Sequence, residues 1–86
     1  MGTYSVYFLK VKYGSGFEKI YVGHTNNIER RLKEHKNQKT RGTRGAKTIK
    51  LVYEEKGFKT RQTAWQREMQ LKKIGTEKRK QMIKES

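Results

Sequence analysis

The segment Thr3 to Val11, TYSVYFLKV, is apolar on both of its alternating faces. Tyr7 and Leu9 fall on one side, Val6 and Phe8 on the other. A half-exposed strand alternates apolar with polar residues. A run without that alternation belongs in the middle of a sheet, covered above and below. Its β-branched and aromatic residues favour the extended backbone. The rest of the chain has little else to bury. Only 31% of the 86 residues are apolar or aromatic. That predicts one small domain, residues 1–86, with a thin core built on one well-placed sheet. No cysteine is present, so no disulfide supports that core. This fits a reducing, cytoplasmic setting. No apolar run at the N-terminus is long enough for a signal peptide or a span, so no membrane partner is expected.

Other elements follow from local signals. Lys12 to Glu18 carries Gly14 and Gly16 and reads as a loop. Lys19 to Gly23 is a second short strand, antiparallel to the first. Asn26, with Glu29 three residues on, resembles a capping box that opens a helix ending near Lys36. Ile28 and Leu32 mark its buried side. Ile49 to Tyr53 is a third strand. A second helix runs from about Arg61 to Lys73, with Gly75 as its stop and Thr76 as the cap of a short helix ending near Ile83. The order β-β-α-β-α-α predicts an α+β fold, a three-stranded, mainly antiparallel sheet packed against helices.

Charge narrows the partners. Twenty-two Lys and Arg against eight Asp and Glu give a formal net charge of +14. Such a chain suits a polyanion: DNA, RNA or an anionic membrane surface. Lysine for solubility alone is the bland alternative. Lys36 to Lys50 holds six basic residues, no acidic one and two glycines. Its single sign and flexible glycines favour a phosphate grip through Lys36, Lys39, Arg41, Arg44 and Lys47. Lys72, Lys73, Lys78, Arg79, Lys80 and Lys84 add to that grip or form a solvated helix face.

Several residues could carry chemistry. On the first helix Arg31 and His35 lie four apart and flank the inward stripe; a solvated surface pair is the alternative. On the second helix Ala64, Trp65, Met69 and Leu71 define an apolar arc, with Glu68 in its middle. A carboxylate there must be ion-paired, with Arg67 or a distant Arg, or bind a cation, or look into a cleft. Trp65 reads as core. Tyr7 and Tyr21 on adjacent strands could face one cleft or simply pack. His24 could touch phosphate, but reads more simply as a solvated loop residue.

These residues together resemble the GIY-YIG nuclease superfamily, and its small stand-alone prokaryotic proteins in particular. Ser5-Val6-Tyr7 stands at the first triplet and Tyr21-Val22-Gly23 at the second. TNNIERRLKEH, Thr25 to His35, looks like the family's first helix, with Arg31 at the catalytic arginine. TAWQREMQLKK, Thr63 to Lys73, looks like the helix whose glutamate binds metal, here Glu68. The resemblance implies a divalent-metal-dependent DNA endonuclease using one Mg²⁺ or Mn²⁺; a domain this small leaves little room for a sequence-reading element, so structure-selective or weakly sequence-specific cutting is expected. It implies Glu68 as metal ligand and Arg31 as stabiliser of phosphorane-like charge. It implies Tyr7 as general base, with its pKa lowered by a nearby cation or Arg or with help from metal-bound hydroxide, and Tyr21 orienting water or phosphate. His35 would hold Tyr7 or assist proton transfer, and Gly23 would permit close backbone approach. Two departures stand out. Thirteen residues separate Tyr7 from Tyr21, a longer loop than the family's. No Asn follows Asn37, so the family's late asparagine has no counterpart. The rival reading is a non-catalytic DNA- or RNA-binding module on the same fold. A monomer and a piece acting with a partner subunit are both compatible with the sequence.

Overall fold

A computed structural model describes residues 3–37 and 43–86. The elements are β1 (Tyr4–Tyr13), β2 (Glu18–Thr25), α1 (Ile28–Lys36), β3 (Ala46–Phe58), α2 (Arg61–Lys73) and α3 (Gly75–Glu85). The strands form one antiparallel sheet in the order β2-β1-β3. The doubly apolar segment is therefore the central strand. Val6 and Phe8 pack with Val22, Ala64 and Leu71 beneath α2 and α3. Tyr7, Leu9 and Val11 pack on the other face with Ile28 and Leu32 of α1. Among the described residues no helix is long and apolar enough to cross a membrane.

The β1–β2 turn closes through Gly16 N–H to the Tyr13 carbonyl, 2.9 Å, with Gly16 at φ 92°. Tertiary pairing extends all three strands beyond the predicted segments. β3 spans 13 residues where five were expected. It pairs with β1 from Tyr4↔Phe58 to Tyr13↔Ala46, and three register shifts interrupt its alternation.

The caps differ from expectation. Asn27, not Asn26, caps α1, accepting from Arg30 N–H at 3.1 Å. Thr25 Oγ1 in turn accepts from Asn27 N–H at 3.1 Å and fixes that residue in the cap. Thr60 caps α2 through Thr63 N–H. Thr76 does not cap α3. Ile74 stands at the junction without a side-chain cap, and Gly75 at φ 76° turns the corner. Arg79 reaches back to the carbonyls of Leu71 (2.9 Å) and Lys72 (2.7 Å). It thereby satisfies acceptors that the end of α2 leaves without helical partners.

The predicted apolar arc of α2 is only half right. Ala64 and Leu71 are buried, but Trp65 is 49% exposed and Met69 36%. The helix is rotated so that Ala64, Glu68 and Leu71 form the buried stripe. Arg67 fixes part of that rotation through a two-pronged contact with Glu55 on β3, 2.8 and 2.9 Å. Tyr53 donates to the same carboxylate at 2.6 Å, and the Arg67 guanidinium holds the Glu55 pKa below its ordinary value.

Candidate active site

The sheet brings two groups of side chains together at the β2 end. One lies on the α1 face. Tyr7 is opposite Gly23 in the β1–β2 register, and Tyr21 is opposite Leu9. Both tyrosines therefore share a face, with ring centres 6.3 Å apart. His35 comes down from α1 with no exposed surface. Its Nε2 lies 3.0 Å from the Tyr7 hydroxyl and its Nδ1 2.8 Å from Thr43 Oγ1. Both ring nitrogens are thus engaged, as a buried neutral imidazole requires. The Tyr21 ring meets His35 edge-on at 4.9 Å.

Gly23 makes this packing possible. A Cβ there would lie 2.6 Å from the Tyr7 hydroxyl and 3.0 Å from Tyr21 Cε1. The glycine therefore admits the two tyrosine rings close against the backbone.

Burial dominates the electrostatics. It pushes Tyr7 up to about 12, against the lowering influence of Arg31. Arg31 by itself does not bring Tyr7 below its ordinary value; desolvation wins over the guanidinium. His35 is pushed down to about 4, first by burial and then by the Arg31 charge. Arg31, half-buried, is held above its ordinary range, chiefly by Tyr7. Its Nη1 donates to Glu34 Oε1 at 3.0 Å. Its Nε is buried with no hydrogen-bond partner.

The low His35 value has a measurable consequence. The folded chain takes up the His35 proton less readily than the unfolded chain, whose histidine titrates near its ordinary 6.5. The stability His35 contributes is complete above that value and is lost as pH falls toward about 4. The full contribution is on the order of 3 kcal/mol, from about 1.4 kcal/mol per pKa unit. Thermal melts of wild type and His35→Gln between pH 4.5 and 7.5 should show a steeper acid-side fall in the wild type. Parallel curves would remove His35 as the cause.

The second group lies on the α2 face. Glu68 is 7% exposed. Its Oε1 accepts from His24 Nδ1 at 2.6 Å, and its Oε2 pairs with Lys72 Nζ at 2.7 Å. Arg67, the partner considered from sequence, is engaged elsewhere. His24 is no solvated loop residue: it lies in β2, opposite Val6, and is part-buried. The two groups are coupled, since the Glu68 charge contributes to raising Tyr7.

Tyr7, Tyr21, Gly23, Arg31 and His35 thus gather on one face, with Glu68 against the other side of the same strand. Sequence reasoning undervalued His24 and passed over Thr43. Thr43 sits eight residues after His35 in a segment without periodicity, and only the fold reveals their contact. Of the basic residues, Lys36 and Lys47 line one groove of about 250 Å³ with Ala46 and Ile49. Arg44 is exposed in the turn before β3. Lys39 and Arg41 lie outside the described residues.

Among the described residues no group of three or more His, Cys, Asp or Glu could hold a metal ion. The donors at this site are one carboxylate and one imidazole. A hard divalent cation can use a single carboxylate when water and phosphate oxygens complete its shell. Lys72 fits that demand: its ammonium already supplies positive charge to Glu68 on a flexible, 47%-exposed side chain that can swing away.

Comparison with known proteins places the whole arrangement within one family match. Residues 3–81 match the GIY-YIG catalytic domain. A UPF0213 protein of Clostridium perfringens is 40% identical over 79 residues, covering 91% of this chain and 80% of its own. One from Bacillus licheniformis is 38% identical over 86 residues, covering 99% and 86%. One from Natronomonas pharaonis is 34% identical over 67 residues, covering 77% and 78%. No solved structure matches the chain. With the match spanning both triplets, α1 and α2, the chain belongs to the GIY-YIG family.

Proposed function

We propose that the protein is a divalent-metal-dependent endonuclease that hydrolyses DNA phosphodiester bonds, with 1–86 acting as one catalytic domain. The observation that carries this reading is Glu68. It is a nearly buried carboxylate engaged on both oxygens, by His24 and by the Lys72 ammonium, and its charge reaches Tyr7 of the tyrosine, histidine and arginine cluster across the sheet. A nuclease needs both halves, a carboxylate for a cation and a fixed donor for phosphate.

Glu68 would hold one Mg²⁺ or Mn²⁺ after displacing Lys72, with His24 orienting the carboxylate. The ion when bound supplies Lewis-acid stabilisation of charge on the phosphate and the leaving oxygen. Arg31, part-exposed, offers the guanidinium protons that Glu34 does not hold to a phosphate oxygen, where the planar fork strengthens as charge develops. Tyr7 remains a phenol at neutral pH. It can accept a proton from the attacking water only while passing its own to His35 Nε2, so the two act as a relay held by Thr43. Tyr7 has no exposed surface, so the part-exposed Tyr21 and Arg31 must present the water and phosphate to it.

The test is incubation of purified protein with plasmid, branched DNA and RNA, with Mg²⁺, Mn²⁺ or EDTA. Metal-dependent nicking is expected. One observation favours the rival, a non-catalytic binding module: His24 and Lys72 already satisfy both Glu68 oxygens. Binding without cutting under every metal condition would select it.

The basic segment would hold the phosphate backbone. Neutralising Lys39, Arg41, Arg44 and Lys47 together should flatten the log–log dependence of DNA affinity on salt, by about one unit of slope per lost contact. An unchanged slope removes the segment from the interface.

A further inference from the structure

α2 carries an exposed tryptophan where the sequence calls for core. Trp65 is 49% exposed and Met69, one turn on, 36%. At about 100° per residue, Trp65, Met69 and Lys72 fall about 60°, 100° and 40° round the helix from Glu68, all in the same sense. Lys72 is on that side in fact, since its ammonium reaches Glu68. Arg61, one turn before Trp65, lies in the same sector. The result is a narrow apolar strip, one indole and one thioether wide, bracketed by cations and adjoining the buried carboxylate. Gln62, Gln66 and Gln70, all exposed, continue α2 around it.

The chemistry favours one occupant. A stable protein partner would need a much broader apolar patch than one indole and one thioether. Single-stranded nucleic acid offers both halves of the match. A base presents a flat face to the indole and its phosphates present charge to the cations. The net charge of +14 draws such a ligand. Paired bases in an intact duplex hide their faces, so the strip can engage only an unpaired base.

We propose that Trp65, supported by Met69 and bracketed by Arg61 and Lys72, is a stacking platform for an unpaired nucleobase beside Glu68. Flapped, forked or single-stranded nucleic acid is then preferred over blunt duplex. The place of this platform in cleavage rests on the nuclease reading, but its existence is read by binding alone.

Trp65 is the chain's single tryptophan, so its fluorescence reports the contact directly. The full chain is titrated in EDTA with a single-stranded oligonucleotide, a flap, a blunt duplex of equal length, and an RNA single strand. Stacking predicts strong quenching by the single strand and the flap, and little by the duplex. Trp65→Ala should weaken single-strand affinity by about five-fold to a hundred-fold, Trp65→Phe much less, and duplex affinity should hold. Because the ring is exposed, both variants should melt near wild type. Equal quenching by RNA extends the ligand to both nucleic acids; quenching by DNA alone restricts it to DNA. No quenching by any strand, equal quenching by duplex, or equal loss of duplex affinity in Trp65→Ala would overturn the platform. A chain that quenches on the flap but never cuts keeps the platform and loses the nuclease reading.

Discussion

Glu68→Ala should abolish Mg²⁺- or Mn²⁺-dependent cleavage while the fold survives. The structure sharpens this expectation. A buried ion pair cut on one side strands its partner, at a cost of about 3–5 kcal/mol. Here the partners are His24, with a 21%-exposed side chain, and Lys72, 47% exposed. Lys72 can return to water, and the part-exposed His24 can turn its ring nitrogen to solvent. The loss should therefore be nearer the ~1 kcal/mol of a part-exposed polar contact. A domain of this size has a total stability of about 5–10 kcal/mol, so the two outcomes are easily separated in a thermal melt. Metal adds a second handle. An ion that binds only the folded state raises the melting temperature by mass action. Mg²⁺ or Mn²⁺ should raise it in wild type and leave Glu68→Ala unmoved. A nicking assay on the same samples completes the test. A variant that cuts normally would refute the assignment, as would one that melts far lower where metal never affects the wild type.

Arg31→Ala should lower cleavage by about a hundredfold or more and leave DNA affinity close to wild type. Affinity is spread over many lysines and arginines, so one lost phosphate contact changes it little. The transition state is different, because charge accumulates at one phosphate and Arg31 is the cation beside Tyr7. Its removal also takes away the charge that opposes the burial-driven rise of Tyr7, making proton relay harder. Arg31→Lys should not rescue. An ammonium cannot both hold Glu34 and present a planar fork to phosphate. Normal cutting by Arg31→Lys would reduce the residue to a surface charge.

β1 was legible because its two faces are both apolar, a pattern that only a central strand resolves. The extent of α2 was legible, since helical spacing and Gly75 after it are local. The +14 charge needed no fold at all. Glu68 was conspicuous as a carboxylate in an apolar arc, and Tyr7, Tyr21, Arg31 and His35 were singled out through spacing and resemblance together. The tertiary structure decided the rest. It chose His24 and Lys72 for Glu68, gave Arg67 to Glu55, set Thr43 under His35 and turned Trp65 outward. It also moved the cap from Asn26 to Asn27 and stretched β3 along the whole of β1. The physical reason is range. Periodicity and caps are written within a few residues, but partners such as His24 and Glu68, 44 positions apart, meet only once the sheet fixes their distance. The same helix wheel permits more than one buried stripe, and only packing against β1 and β2 selects which side chains go under.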